Sequence, residues 1–280
     1  MAKNKKKIKQ QKKFWESPWV IRLVFLGILV LAAIFYANSF KGSFQFDDAN
    51  LITKNAKISD IGNYSSTTFW SNVNVRPLSY FSFALNYAIH GHEIWGYHFI
   101  NFLIHVINAF LVFLLARFIM QLSFERNLVN DRKANQAAII IALIFLLHPL
   151  QTMAVTYIVQ RMTSMAAMFY LLAVLLYGKG RLAYVHEGLN RKNGMLIGGA
   201  VVSGILAVMS KQTAITFPLA FLFFDLYFIR NKEDKPYKKY LFAGFSIAVI
   251  VFITVSLLGY LPRETPNITR AEYLLTQFKV

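Results

Sequence analysis

The chain alternates between long apolar runs and shorter polar segments. A transmembrane helix needs roughly 20 predominantly apolar residues, whereas a strand of a membrane barrel shows alternation over about 10 residues. The apolar runs fit the first description, and they predict about seven spans at residues 18–38, 97–120, 136–148, 154–177, 194–209, 214–229 and 240–260. The pattern therefore predicts an all-α fold, a polytopic membrane helix bundle.

Two short polar links join neighbouring spans. "HPLQT" separates the third span from the fourth, and "SKQTA" separates the fifth from the sixth. Links this short favour antiparallel neighbours. Each pair of spans is therefore predicted to form a helical hairpin with a tight turn.

The segment 39–96 is a long connection between the first two spans. Connections of this length are commonly functional and carry some structure of their own. "RPLSYFSFALNYAIHG" has apolar residues at helical spacing, with Pro77 suited to a first helical position and Gly91 to an end. The apolar stripe consists of Leu78, Phe81, Leu85, Ala88 and Ile89. These features predict an amphipathic surface helix lying along the membrane.

Composition and charge agree with a membrane protein. Hydrophobic residues make up 56% of the chain, compared with about 45–50% in soluble domains. The net charge is +17, but 21 of the 30 Lys and Arg residues fall on the side that contains the N-terminus in this topology. The positive-inside rule therefore places the N-terminus in the cytoplasm and segment 39–96 outside. The charge distribution also favours contact with lipid head groups and argues against nucleic-acid binding.

The ends of the chain complete the predicted domain organisation. Residues 1–17 form a basic cytoplasmic tail, residues 18–260 a transmembrane module, and residues 261–280 an outer segment. The first apolar run is longer than a signal-peptide core and is predicted to be a retained helix. Cysteine is absent, which excludes disulfides and cysteine-ligated zinc. The lysine-rich tail and the lack of cysteine favour a bacterial inner membrane over the endoplasmic reticulum.

Asp47 and Asp48 are adjacent carboxylates just beyond the first span, in "FQFDDANLI". One interpretation is a turn or helix-cap aspartate at the water interface. The other is catalytic: a carboxylate in a cleft with apolar walls can act as a general base, and its neighbour can orient an acceptor or a metal. The position of the pair favours the catalytic interpretation.

Three cations are candidates for binding an anion on the same side. Arg76 in "VRPLSY" and Lys211 in "SKQTA" are read either as phosphate contacts or as snorkelling surface cations. Arg161 in "YIVQRMTSM" is expected to face the bundle interior or a water-filled cavity, because a cation facing lipid is costly.

The histidines give no metal-binding pattern. His105 and Asn108 share one face of the second span and are predicted to bond between helices. His90, His92 and His98 lack the spacing of a metal site. No cofactor and no metal ligand are predicted from the residues, although a need for a divalent metal stays open.

Six motifs occur in the order and spacing of a known group. They are "FDDANLITKNAKI", "RPLSYFSFALNY", "WGYHFINFLIHVINAFLVF", "HPLQTMAVTYIVQR", "SKQTAITFPL" and "RAEYLLTQFKV". The chain resembles the membrane half of the TMTC-type proteins, the transmembrane and tetratricopeptide-repeat O-mannosyltransferases, and their bacterial relatives. These are members of the GT-C superfamily of glycosyltransferases.

The resemblance implies a function and a set of site residues. Such enzymes take a sugar from a polyprenyl-phosphate donor, with inversion, and their catalytic acid lies in the first outer loop. That position matches Asp47, with Asp48 beside it, and the cations that hold the carrier phosphate match Arg76, Arg161 and Lys211. An exported protein is the expected acceptor. Gln212 stands where relatives often have an acid, and relatives continue beyond Val280 into further helices and a repeat array.

Two alternatives remain open at this stage. A non-catalytic transporter or membrane scaffold would place polar residues along a path through the helix centres. A glycosyltransferase acting on a lipid or glycan acceptor would keep the same chemistry, and the residues do not separate it from a protein-directed enzyme.

Overall fold

The computed structural model describes residues 18–56, 58–65, 76–125 and 131–229, and every structural statement below concerns these residues. The predicted tail 1–17, the predicted span 240–260 and the segment 261–280 lie outside the described residues.

The described residues are helical, with no β-strand among them, which confirms the all-α prediction. The α-helices are α1 Pro18–Tyr36, α2 Pro77–His90, α3 Ile94–Glu125, α4 Asp131–Leu147, α5 Met153–Thr156, α6 Arg161–Glu187, α7 Arg191–Ser210 and α8 Phe217–Phe224. Short 3-10 turns cover Ala37–Lys41, Ile61–Ser65, Pro149–Gln151, Ile158–Gln160 and Gln212–Thr216, and π-helical turns cover Ala49–Thr53 and Asp225–Ile229.

Five helical segments of the described chain are long and apolar enough to cross a membrane. They are Arg22–Lys41, Ile94–Leu122, Ile158–Glu187, Arg191–Ser210 and Gln212–Ile229. A sixth candidate is the pair Lys133–Leu147 and Pro149–Thr156, which is bent by 55°. The chain is therefore a multi-pass membrane protein, and six of the predicted spans have counterparts in the structure.

Helix α3 forms the centre of the bundle. It packs against α4 on one side of its surface and against α6 on another, and α6 packs in turn along α7. Buried Ala109 and Ala116 of α3 lie in a core with Ala138 and Ala142 of α4. Small side chains at these positions let the helix backbones approach closely, as is usual between membrane helices.

The predicted surface helix is confirmed as α2. Pro77 occupies its first turn, and Gly91 ends it with a positive φ of 55°, a conformation that glycine adopts at little cost. Its predicted apolar stripe is only partly exposed: Leu85 is 44% and Ile89 68% exposed, whereas Phe81 is half-buried and packs against the core. The buried face instead carries Ser79, Phe83, Ala84 and Asn86. The helix therefore packs a mixed apolar and polar face against the protein and leaves Leu85 and Ile89 on its outer face.

The predicted hairpin of the third and fourth spans is wrong. The structure joins α4 to α6 through residues 148–160, a broken segment that contains α5 and two 3-10 turns. Helix α4 packs on α3 and α1, whereas α6 packs on α3 and α7. Hydropathy does not reveal this break, because residues 153–160 are as apolar as a transmembrane helix. Some of their backbone groups nevertheless bond to residues outside this segment.

The fifth and sixth predicted spans, α7 and α8, also do not pack mainly on each other as the predicted hairpin requires. Phe217 lies against α7 at Gly204, where an added Cβ would come within 2.5 Å of the ring. Beyond that contact α8 packs on α6, where the Tyr177 and Phe221 rings stack 4.4 Å apart. The extensive antiparallel pair is α6 with α7, whose link is closed by a capping box between Asn190 and Asn193.

Polar residues inside the bundle bond between helices. His105 Nε2 lies 3.1 Å from the carbonyl oxygen of Leu146, and Asn108 Nδ2 donates to the carbonyl oxygen of Ser164 at 2.9 Å. These contacts confirm the prediction made for His105 and Asn108. Each joins α3 to a different neighbour, so α3 is held by directional bonds in addition to packing.

Candidate functional site

The acidic pair lies in a strained turn after the first span. Phe46 has a φ of 45°, which is unfavourable for a side chain with a Cβ, and its ring is 80% exposed. The turn gives the two carboxylates opposite environments, since Asp47 is exposed and Asp48 is fully buried.

Asp48 anchors the turn to the broken segment. Its Oδ2 accepts the N–H of Gln45 at 2.9 Å, and its Oδ1 accepts the N–H of Val159 at 2.8 Å. Burial raises the pKa of Asp48, whereas these backbone hydrogen bonds and the charge interaction with His98 act in the opposite direction. Both oxygens are thus committed to structural bonds, and Asp48 is poorly placed to accept a proton from a substrate.

Asp47 is held from its other side by Tyr157. The backbone N–H of Asp47 donates to the Tyr157 hydroxyl at 3.2 Å. The Phe46 ring packs edge-on against the Tyr157 ring, with 6.0 Å between centroids. The Asp47 carboxylate therefore projects into the open beside a fixed aromatic hydroxyl.

Arg161 is entirely buried at the start of α6. Its Nε donates to Asn101 Oδ1 at 2.7 Å, and one Nη donates to Asn86 Oδ1 at 2.7 Å and to the Tyr97 carbonyl oxygen at 3.0 Å. The other Nη donates to the Ser82 carbonyl oxygen at 3.2 Å. With its donors directed to protein oxygens, Arg161 faces the bundle interior, as the sequence predicts, and is not placed to make the phosphate contact that the resemblance implies.

Arg76 and Lys211 form a pair of cations on neighbouring elements. Arg76 Nε donates to Gln212 Oε1 at 3.1 Å, and Lys211 Nζ donates to Thr163 Oγ1 at 2.7 Å. Burial, and next the charge of Arg76, lower the pKa of Lys211. Among the described residues no carboxylate lies within ion-pair distance of either cation. The pair is thus positively charged, partly exposed and held by neutral partners, which suits it to bind an anion.

One short stretch, residues 157–163, connects the acidic pair with the cations. Tyr157 and Val159 contact the acidic turn. Met162 Sδ lies 3.3 Å from an Nη of Arg76, and Thr163 bonds Lys211. The two charged groups are therefore anchored on the same short stretch of chain, although no direct bond joins them.

Several residues of this arrangement did not stand out in the sequence. Two of them, Tyr157 and Thr163, are ordinary residue types in apolar or loop segments. The other two, Asn86 and Asn101, are polar residues within apolar helices, and that position is the feature of the sequence that could have identified them. No group of three or more His, Asp or Glu side chains in the described part of the chain is arranged to hold a metal ion.

The chain is similar to known proteins over most of its length. It is 32% identical over 201 residues to the protein O-mannosyl-transferase Tmtc1 of Drosophila melanogaster, a match that covers 68% of the chain and 21% of that protein. It is 29% identical over 245 residues to the human protein O-mannosyl-transferase TMTC2, covering 82% of the chain and 28% of that protein. The human protein O-mannosyl-transferase TMTC4 matches at 28% identity over 200 residues, covering 66% of the chain and 27% of that protein.

These matches confirm the resemblance to TMTC-type proteins that the motifs indicated. The chain spans about a fifth to a quarter of the length of these relatives. Neither a family model nor a solved structure matches the chain.

The two aspartates should respond differently to the same isosteric change. In Asp48→Asn the amide keeps one acceptor oxygen but turns an NH₂ group toward the second backbone N–H, which we expect to cost about 1–3 kcal/mol of stability. Asp47→Asn changes an exposed side chain and should cost less than about 0.5 kcal/mol. Thermal unfolding in detergent measures both variants, and equal melting temperatures would contradict the division between an anchor and a free carboxylate.

The Arg161 network predicts a difference between two asparagines of α3. Asn101→Leu removes an acceptor from a buried guanidinium, and we expect a loss of about 2–4 kcal/mol. Asn108→Leu is the matched control: it removes one neutral hydrogen bond, worth about 1 kcal/mol, and also removes a carboxamide oxygen that is buried without a partner among the described residues. A melting temperature lowered as much by Asn108→Leu as by Asn101→Leu would show that the guanidinium is not the critical partner.

Proposed function

We propose that the chain is the membrane part of a glycosyltransferase. The enzyme moves a sugar, taken to be mannose from the names of the relatives, from a polyprenyl-phosphate carrier to a hydroxyl group at the outer membrane face. The observation that carries the proposal is the cation pair Arg76–Lys211, which has no counter-ion among the described residues and is anchored on the same stretch as the exposed Asp47. The phosphate on one side of the sugar would meet the cation pair. The acceptor hydroxyl on the other side of the sugar would meet Asp47.

The cation pair holds the phosphate of the donor. Two adjacent cations repel each other in the free protein, and a bound phosphate removes that repulsion while gaining charge-assisted hydrogen bonds. The apolar chain of the carrier extends into the bilayer beside the bundle. The same cations stabilise the phosphate as it leaves, since its negative charge grows as the bond to the sugar breaks.

Asp47 acts as the general base. It takes the proton of the acceptor hydroxyl while the hydroxyl oxygen forms a bond to the anomeric carbon. The bond between that carbon and the phosphate oxygen breaks, and its electron pair stays with the polyprenyl phosphate. Attack from the side opposite the phosphate inverts the anomeric centre.

Asp48 and Arg161 support this chemistry without touching the substrate. Asp48 fixes the turn that carries Asp47, through its bond to Val159. Arg161 fixes the start of α6, from which Met162 and Thr163 reach the two cations. The resemblance implies substrate contacts for both residues, and their burial supports positioning roles instead.

The remaining assignments complete the proposal. The charge asymmetry supports a cytoplasmic N-terminus and an outer-facing site. We propose an exported protein Ser or Thr as the acceptor, in line with the names of the relatives, and a bacterial inner membrane as the location, on the lysine-rich tail and the lack of cysteine. Label found on lipid or glycan in the assay below would replace the protein acceptor.

The base assignment predicts that Asp47→Asn loses activity without losing donor binding. We expect transfer from labelled polyprenyl-phosphate mannose to a Ser/Thr peptide, in proteoliposomes, to fall at least about 100-fold. The control is Asp60→Asn, which changes another exposed aspartate of the same outer segment whose Oδ1 accepts the N–H of Gly62. Normal turnover by Asp47→Asn would remove the base assignment, and no transfer by the wild type would favour a non-catalytic function.

The phosphate assignment predicts that Lys211→Gln weakens donor binding by about tenfold, the equivalent of losing one charge-assisted contact at a partly exposed site. Lys54→Gln, an exposed lysine of the outer segment, is the control. The lowered pKa of Lys211 adds a pH test, because the side chain loses its charge at a lower pH than an ordinary lysine.

In the wild type, donor affinity should therefore decline on the alkaline side as Lys211 deprotonates. Lys211→Arg keeps its charge throughout this range, so the decline should move to higher pH. Titration of donor binding against pH measures this, and an identical profile in wild type and Lys211→Arg would exclude Lys211 from the phosphate site.

A further inference from the structure

Tyr157 occupies the break between α5 and the 3-10 turn that precedes α6. Its backbone is extended, with φ −102° and ψ 108°. Asn101 Nδ2 donates to the carbonyl oxygen of Ile158 at 3.1 Å and lies 3.5 Å from that of Tyr157. Because Asn101 also accepts from Arg161, the backbone of Tyr157 is tied directly to the buried guanidinium network.

The side chain of Tyr157 reaches from this fixed position to the acidic turn. Its oxygen accepts the N–H of Asp47, which leaves the hydroxyl proton free to be donated. The charge of the Asp47 carboxylate also acts on this hydroxyl. Burial, together with the charges of Asp47 and Asp48, raises the pKa of Tyr157, so the hydroxyl stays protonated at neutral pH.

Few other hydrogen bonds hold Asp47 in its orientation. Its carbonyl oxygen accepts the N–H groups of Asn50 and Leu51, which belong to the helical turn that follows. Asp48 holds the turn through its own carboxylate, not through that of Asp47. The hydrogen bond that reaches Asp47 from outside its own turn, among the described residues, is the one to Tyr157.

We propose that Tyr157 is the positioning residue of the reaction: its hydroxyl binds both the amide and the carboxylate of Asp47 and holds this base toward the acceptor. The inference rests on the proposed function, in which Asp47 is the base. Tyr157 itself gains and loses no proton, and it does not contact the sugar. Its contribution is orientation of the carboxylate.

The test is Tyr157→Phe, which keeps the ring that packs on Phe46 and removes only the hydroxyl. Transfer of labelled mannose from its polyprenyl phosphate should show a kcat lowered by about 10- to 100-fold, the scale of a misplaced catalytic group, with donor KM unchanged. A merely structural role, in which the acidic turn loses its fold, would instead raise the donor KM and lower the melting temperature together with kcat.

The control is Tyr170→Phe on α6, which removes a hydroxyl 3.3 Å from that of Thr216, away from the acidic turn. It should leave kcat and the donor KM as in the wild type. If Tyr157→Phe behaves like this control while Asp47→Asn is inactive, the positioning role is excluded and the base assignment survives.

A second readout does not depend on turnover. Infrared difference spectra between the protein and its Asp47→Asn variant isolate the carboxylate stretching bands of Asp47 at neutral pH without any donor. In Tyr157→Phe these bands are expected to shift in frequency, because the carboxylate loses a hydrogen-bond donor. Unshifted bands overturn the inference even if the protein transfers no sugar, and shifted bands with no transfer support the contact while rejecting the proposed function.

Discussion

A buried positive charge, that of Arg161, sets the arrangement of the site end of the bundle, where α3 and α6 begin and α7 ends. Placing a guanidinium in an apolar interior is costly unless each N–H meets an acceptor. Here the acceptors are side-chain and backbone oxygens without formal charge, and the Phe83 ring lies 4.5 Å from the guanidinium carbon. Because the acceptors belong to α2 and α3, while Arg161 itself begins α6, satisfying the charge fixes three helices at one point. Apolar packing alone would let these helices slide, since lipid is as apolar as their surfaces.

The arrangement of the site depends on the position of Arg161 in the chain. Residues 157–163 surround Arg161 in sequence, and they contact the acidic turn at one end and the cation pair at the other. Two adjacent aspartates therefore have different environments. The carboxylate of Asp48 bonds Gln45 and Val159 and anchors the turn, whereas Asp47 stays exposed. A pair of acids in sequence is thus one anchor and one exposed carboxylate in space.

The sequence predicted the helices well and their partners less well. Apolar runs and the Pro77 and Gly91 signals locate the spans and the surface helix, because both depend on local composition and backbone preference. The break at 148–160 and the burial of Arg161 depend on hydrogen bonds between segments far apart in the chain. Asn101, for example, is 60 residues from Arg161. Hydropathy treats such an asparagine as a defect in an apolar run, whereas in the structure it is the group that makes a buried charge tolerable.

The same reasoning explains why Gln212 suits the cation pair. An acid at this position would neutralise Arg76 with an ion pair, and a donor phosphate would then have to displace it. Gln212 accepts one hydrogen bond from Arg76 and fixes its direction, but it leaves the charge unopposed. Arg76 also precedes the first turn of α2, where the partial positive charge of the helix N-terminus adds to the attraction for an anion. The repulsion between Arg76 and Lys211 is therefore sustained by neutral partners, and under the proposed function a bound phosphate relieves that repulsion, which favours its binding.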